Sequence, residues 1–342
     1  MNGIKEITKL DMELLEKLAD RFSRASISEA TRTAYEADWL HFFRFCRQHG
    51  MAELPAEPET VVLYLTAMAE SQLSISTISR RCTSITAIHR ASGFDSPVKT
   101  DKVARVFRGI RRETGKPPNK RKALSWKEVK KIKDLCDSTM IGTRDAAIIL
   151  LGWTSALRRS ELVALNIGDL DISDTGIILT VQRSKTDQDG SGVHVGIPRS
   201  IHDPVHCPVV AVENWISRYT KKRIAGQSDD NIPLFAKVGP SGRCRWWSQP
   251  EGRLSARTIS LIVKRYVFLA GMSPGIYSAH SLRRGMATEA GAVGVPERII
   301  SRHTRHRSIS VLRGYIDDGT IWHENPLPAI YGSGLSSSSG LD

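Results

Sequence analysis

A mainly helical chain of two domains, with a small β-sheet confined to the C-terminal one, is what the sequence predicts. Three observations carry that expectation. The first third repeats apolar residues at helical spacing. A basic stretch broken by Pro and Gly, Thr114 to Lys122, separates it from the rest. Beyond that break two short runs, Gly176 to Val181 and Val193 to Ile197, have strand character on either side of the polar loop Lys185 to Gly192. With 342 residues, 40% hydrophobic and 25% charged, the chain has material for two cores.

Taken in order, Ser28 caps a helix running to about His49, with Tyr35, Trp39, Phe42 and Phe43 on roughly one face and Gly50 ending it. Pro58 to Glu70 forms the next. Ser74 or Ser76 opens a third, in which Ile78, Cys82, Ile85 and Ile88 repeat at helical spacing. A fourth runs from about Thr100 to Arg112, with Arg105, Arg108 and Arg112 sharing one face. After the break, Ser125 and Glu128 have the spacing of a capping box for a helix starting at Trp126. Helices are further expected from Gly142 to about Ser155, Pro208 to Lys222 and Ser255 to Leu269. The expected organisation is a helical N-terminal domain (1–113), a basic linker (114–122), a second domain (123–331) and a disordered Gly/Ser-rich tail (332–342).

Charge narrows the class of partner. Forty-nine Lys and Arg against 36 Asp and Glu leave a net +13, and a basic excess of this kind points to a polyanion, most often nucleic acid. From Arg105 to Lys133 twelve basic residues stand against Glu113 and Glu128, so this window alone carries +10. Concentration in one segment favours a docking surface, with Lys120, Arg121 and Lys122 as a strap along phosphates beside Arg105, Arg108 and Arg112. Arg80, Arg81 and Arg257 lie on helices suited to reaching bases. The five scattered cysteines form no framework, which suits reduced thiols in the cytoplasm. His202, His206 and Cys207 have no distant ligand set, so no metal site is expected. No apolar run reaches membrane-spanning length, and the first 20 residues do not resemble a signal peptide.

Five separated fragments bear chemistry: Ala156-Leu157-Arg158-Arg159-Ser160-Glu161-Leu162, Lys185, His280-Ser281-Leu282-Arg283, His306 and Tyr315. Each is ordinary alone. Arg158 and Glu161 stand one helical turn apart, as do His280 and Arg283. Two guanidiniums suit a phosphate and the charge of a pentacoordinate transition state. A tyrosine hydroxyl, with a pKa of about 10, must lose its proton to attack. A lysine on a loop suits protonation of a leaving oxygen.

In that order and spacing, the set resembles the tyrosine recombinase (phage integrase) family. Its signature boxes match Ala-Leu-Arg-Arg-Ser-Glu-Leu, His-Ser-Leu-Arg and the run from His306 to Tyr315. Pro55-Ala56-Glu57-Pro58-Glu59 and the stretch ending Arg108-Gly109-Ile110-Arg111-Arg112 look like its Cre-like branch. The resemblance implies a helical core-binding domain and a catalytic domain closing round duplex DNA as a C-shaped clamp. It implies a site-specific recombinase in which Tyr315 attacks the scissile phosphate, giving a 3′-phosphotyrosyl bond. Arg158 and Arg283 hold the phosphate, Lys185 is general acid, and His280 assists proton transfer. His306 hydrogen-bonds the phosphate and Glu161 supports the set. No cofactor and no metal are implied. Partners are double-stranded DNA at specific sites and three further protomers, a homotetramer on two sites exchanging strands through a Holliday junction, from a chain that is monomeric when free. Arg305 departs from the pattern, since relatives commonly carry Gly immediately before that histidine.

Two rivals have weaker support. A type IB topoisomerase or hairpin-forming telomere resolvase shares the nucleophile, but the Cre-like N-terminal third speaks against it. A DNA-binding protein that does not cleave has no need of the phenol.

Overall fold

The computed structural model of the chain describes residues 29–115, 121–181, 192–220, 231–239, 242, 252–306, 308–321 and 327–330. The chain divides into two units, Met1–Pro118 and Asn119–Asp342. Ser28, Lys120, Lys185 and the Gly/Ser-rich tail lie outside the described residues.

The described part of the first unit is helical. It comprises α1 (Glu29–Gln48), α2 (Pro58–Glu70), α3 (Ile75–Ala91) and α4 (Asp101–Thr114). Side-chain oxygens set two of the helix starts, Ser74 accepting from the Thr77 amide and Thr100 from the Val103 amide. α1 packs on α3 and α2 on α4. The core between them holds Phe42, Cys46, Val61, Tyr64, Leu65, Met68, Ile78 and Ile85. One expectation shifts by a side chain. Phe45, not Phe43, packs on this core, because the inward face of α1 runs through Asp38, Phe42 and Cys46 at intervals of four, and Phe43 falls about 100° away from Phe42.

In the second unit α5 (Trp126–Asp134) begins with the expected capping box between Ser125 and Glu128. α6 (Met140–Thr154) starts two residues before Gly142, because the Thr139 hydroxyl caps it by accepting from the Gly142 amide. Its centre, Ala147 to Gly152, is buried on every side, as an all-apolar stretch requires. It packs against α5, α8 (Pro208–Thr220) and α10 (Ala279–Ala292).

A three-stranded antiparallel sheet lies between α7 (Arg159–Ala164) and α8 in the chain. Its order is β1 (Leu170–Ile172), β2 (Gly176–Val181), β3 (Val193–Pro198), with Leu170 opposite Leu179 and Leu179 opposite Val195. Alternation in β2 buries Ile177, Leu179 and Val181 and exposes Ile178. β1 adds a strand that the sequence reading lacks, since three residues are too short to show a period. α9 (Ala256–Leu269), α11 (Glu297–Thr304), α12 (Ile309–Thr320) and the short α13 (Leu327–Ile330) complete the described α-helices.

Two glycines let the helices of the site come close. A Cβ on Gly285 in α10 would overlap the Leu124 carbonyl, and one on Gly319 in α12 the Thr288 carbonyl. Gly285 thus lets α10 approach Leu124 and Trp153, while Gly319 lets α12 pack tightly on α10, which matters because α10 and α12 each carry part of the site. No helix among the described residues is long and apolar enough to cross a membrane.

Candidate active site

The buried α6 ends at Thr154 and delivers the first fragment. The chain then turns through Ala156, whose φ of 48° is left-handed, and reaches Arg158 in extended conformation as the N-cap of α7. Arg158 thus precedes the helical turn on which spacing alone would put it. Glu161, three residues on and 4% exposed, reaches back to it twice. The Arg158 amide donates to Glu161 Oε2 at 2.9 Å and its Nη1 to Oε1 at 2.6 Å. Arg158 Nη2 donates to the Arg305 carbonyl at 3.4 Å, so backbone and carboxylate together fix the fork.

α10 carries the second fragment. The Ser278 hydroxyl caps it by accepting from the His280 amide at 3.2 Å, which sets His280 in the first turn and Arg283 one turn later. Arg283 is only 2% exposed. Its Nη1 donates to the Ala156 carbonyl at 2.6 Å, while Nη2 has no partner among the described residues. Of the three non-glycine residues described with positive φ, Ala156 and Arg305 both aim carbonyls at these arginines. Backbone strain concentrated in this way marks sites where geometry outweighs its cost.

The third fragment spans the α11–α12 turn. Tyr315, 8% exposed, packs with Ala287, Ile300 and Leu312, and its hydroxyl shares a 2.9 Å hydrogen bond with His280 Nε2. The edge of the His306 ring stands 5.6 Å from the tyrosine ring, centroid to centroid. Thr304 Oγ1 donates to the Ile300 carbonyl at 2.8 Å, and a hydroxyl has one proton, so it accepts from His306 Nδ1–H at 2.6 Å. His306 Nε2 is then a lone pair. A cleft of about 410 Å³ is lined by Arg158, His280, Arg283, His306 and Tyr315. Six of the seven residues expected in the site come together; Lys185 falls in the segment between β2 and β3, outside the described residues.

Burial, then the charges of Arg283, Arg284 and Arg158, pushes His280 below the usual imidazole range. His306 is lowered to about 3, chiefly by burial and then by Arg283 and Arg158. Both rings are therefore neutral at physiological pH. Burial raises the Tyr315 phenol, and Arg284 and Arg283 oppose that rise. His303, lowered mainly by burial, donates from Nε2 to the Thr154 carbonyl at 2.7 Å and so braces the end of α6. These lowered imidazoles imply a pH dependence of stability. The unfolded chain takes up protons near pH 6.5 and the native site does not, so stability is full above 6.5 and falls as pH falls below it. The melting temperature should drop between pH 7 and 5, less steeply for His306→Asn; a rise on acidification would contradict the assignment.

Comparison with known proteins decides the family. The phage integrase family model matches residues 122–320, and its N-terminal SAM-like domain model matches residues 18–91. An integrase/recombinase xerD homolog from Selenomonas ruminantium is 35% identical, covering 93% of this chain and 90% of the relative. The chain belongs to the phage integrase family of tyrosine recombinases. Recombinase cre of Escherichia phage P1 is 24% identical over 89% of each chain. The same fold occurs in a Tn1549 transposon integrase solved with transposon right end DNA (TM-score 0.57, 17% identity, 87% of this chain and 92% of that one). It occurs also in a lambda integrase dimer bound to a core site (TM-score 0.55, 18% identity, 89% and 94%).

In this tyrosine recombinase the basic residues expected to meet DNA differ in availability. Arg105, Arg108 and Arg112 are exposed along α4, and Arg257 is exposed on α9. Arg81, with its side chain 14% exposed, is held inside its own unit by Asp38 at 3.6 Å, His41 and Tyr64. Arg80 pairs with the same buried carboxylate at 2.9 Å but stays half exposed. Arg121 donates to the Gly275 carbonyl, and Lys122 pairs with Glu128 at 3.4 Å and lies over the Tyr277 ring. His206 is engaged by Asp203 and Asp134. Sequence reading missed Arg284. Its guanidinium sits 5.3 Å from the Tyr315 ring centroid, braced by Asp318 and the Arg121 carbonyl. The doubled Arg283-Arg284 was the one available signal.

Proposed function

We propose that this recombinase cleaves and rejoins duplex DNA at specific sites with Tyr315 as nucleophile. The observation that carries the reading is the 2.9 Å hydrogen bond between the Tyr315 hydroxyl and His280 Nε2, in a cleft flanked by Arg158 and Arg283; with the imidazole proton on Nδ1, Nε2 accepts from the phenol. His280 takes the phenol proton as Tyr315 Oη bonds to phosphorus. The pentacoordinate state carries two negative charges, which Arg158 and Arg283 face. The P–O5′ bond then breaks, Lys185 protonates the departing oxygen, and a 3′-phosphotyrosyl diester remains. Glu161 holds Arg158 in register.

His306, with its Nδ1–H given to Thr304, donates to a phosphate oxygen only after Nε2 gains a proton, which an approaching anion favours. Because the phosphotyrosyl diester keeps the energy of the broken bond, attack by a 5′ hydroxyl of a second duplex reverses the step with no cofactor in the cycle. Two such exchanges, through a Holliday junction, recombine two sites held by four protomers of a chain that is monomeric when free. The exposed arginines of α4 and the basic segment after it supply sequence-independent phosphate contacts. Arg80 and Arg257 are the further DNA-contact candidates, and the cytoplasm is the compartment where such DNA is met.

Incubation with duplexes carrying a candidate site nicked just beyond the scissile phosphate tests this, because the short 5′ fragment diffuses away and traps the intermediate. A protein–DNA adduct stable to denaturation is expected; selected, tightly bound DNA that is never joined to protein would favour a binding role instead.

A further inference from the structure

The left-handed residue before His306 bears on the charge of the site. Arg305 adopts φ 55° and ψ 47°, a backbone conformation costly for any residue with a Cβ, yet it carries a long cationic side chain. That side chain is only 5% exposed, which removes it from the outer surface as a DNA contact. Its Nη2 donates to Glu161 Oε2 at 3.1 Å, and its Nε and Nη1 have no partner among the described residues. Glu161 therefore lies between two guanidiniums, Arg158 at 2.6 Å and Arg305 at 3.1 Å.

The balance of charge decides what this achieves. A buried carboxylate paired with Arg158 alone cancels most of that arginine's field, leaving Arg283 as the one uncompensated cation beside the neutral His280 and His306. With Arg305 included, three guanidiniums stand against one carboxylate, a net of two positive charges among these groups. A phosphodiester under attack by an oxygen nucleophile passes from one negative charge to two.

Resting on the phosphodiester chemistry proposed above, we infer that Arg305 is a positioning residue that occupies Glu161, so that Arg158 meets the scissile phosphate with its charge intact. Arg305 acts through Glu161 and through its own carbonyl, which accepts from Arg158 Nη2. It does not touch the reacting atoms.

Two nicked substrates test the inference, identical except that one carries a methylphosphonate at the scissile position. Replacing a charged oxygen by methyl removes one negative charge from both ground and transition states. Single-turnover rates of adduct formation are compared for wild type, Arg305→Lys, Arg305→Met and Arg305→Gly. Met and Gly should lose about 100-fold on phosphate but under about 10-fold on methylphosphonate, and Lys should stay within about 10-fold on both. Glycine accepts the left-handed backbone without strain, so Arg305→Gly remains informative if Arg305→Met does not fold. Equal losses on the two substrates indicate a merely structural role and overturn the inference, as does an unchanged rate on phosphate. Wild type that forms no adduct on phosphate overturns the underlying reading itself, and the inference falls with it.

Discussion

Tyr315→Phe forms no covalent adduct with a nicked substrate, while folding and DNA binding persist. The substitution removes one oxygen. The ring keeps its packing against Ala287, Ile300 and Leu312 and its contact with the Arg284 guanidinium. Stability loses the hydrogen bond to His280, a change of about 1 kcal/mol. Cleavage loses its nucleophile, and adduct formation should fall by roughly 10⁴-fold or more. Adduct on a denaturing gel at an undiminished rate would show that another group attacks.

Arg158→Lys separates binding from chemistry. Lysine keeps a positive charge but not the planar fork that here spans Glu161 Oε1 and the Arg305 carbonyl. An ammonium on a flexible stem serves one of these partners and one phosphate oxygen with poorer geometry. The loss falls on the state in which charge has built up, so single-turnover cleavage should drop by about 10²–10³-fold. Affinity measured by gel shift should change by less than about 10-fold, because many phosphate contacts elsewhere contribute to it. Unchanged cleavage would take Arg158 out of the site, and parallel losses in cleavage and affinity would make it a general DNA contact.

How much of this was legible beforehand follows from how local each determinant is. The capping box at Ser125 and Glu128, the alternation of β2 and the proline start of α2 are written in neighbouring residues, and the elements begin where those signals stand. β1 is three residues long and exists because Leu170 to Ile172 pair with β2, a tertiary cause without a periodic trace. Asp38 illustrates the same limit. It draws Arg81 inward from a different helix, so that a doubled arginine that reads as a DNA contact is partly spent inside its own unit.

The candidate site was legible as residue types in order, but not as a geometry. Spacing puts Arg158 and Glu161 on one helical turn, whereas Arg158 is an extended N-cap held by Glu161 from inside the helix. Arg305 was visible as a departure from a glycine, and only the folded chain shows its guanidinium turned toward Glu161. Arg284 reaches the nucleophile across the close approach of α10 and α12 that Gly319 permits, a consequence of a missing side chain that no motif records.

The most direct test of the central claim is to identify the amino acid that carries the DNA. The trapped adduct is digested with nuclease and trypsin and the nucleotide-bearing peptide sequenced by mass spectrometry. The expected peptide begins at Gly314, after cleavage at Arg313, with a nucleotide joined through its 3′ phosphate to Tyr315. A nucleotide on any other residue, or one joined through its 5′ phosphate, would contradict the account.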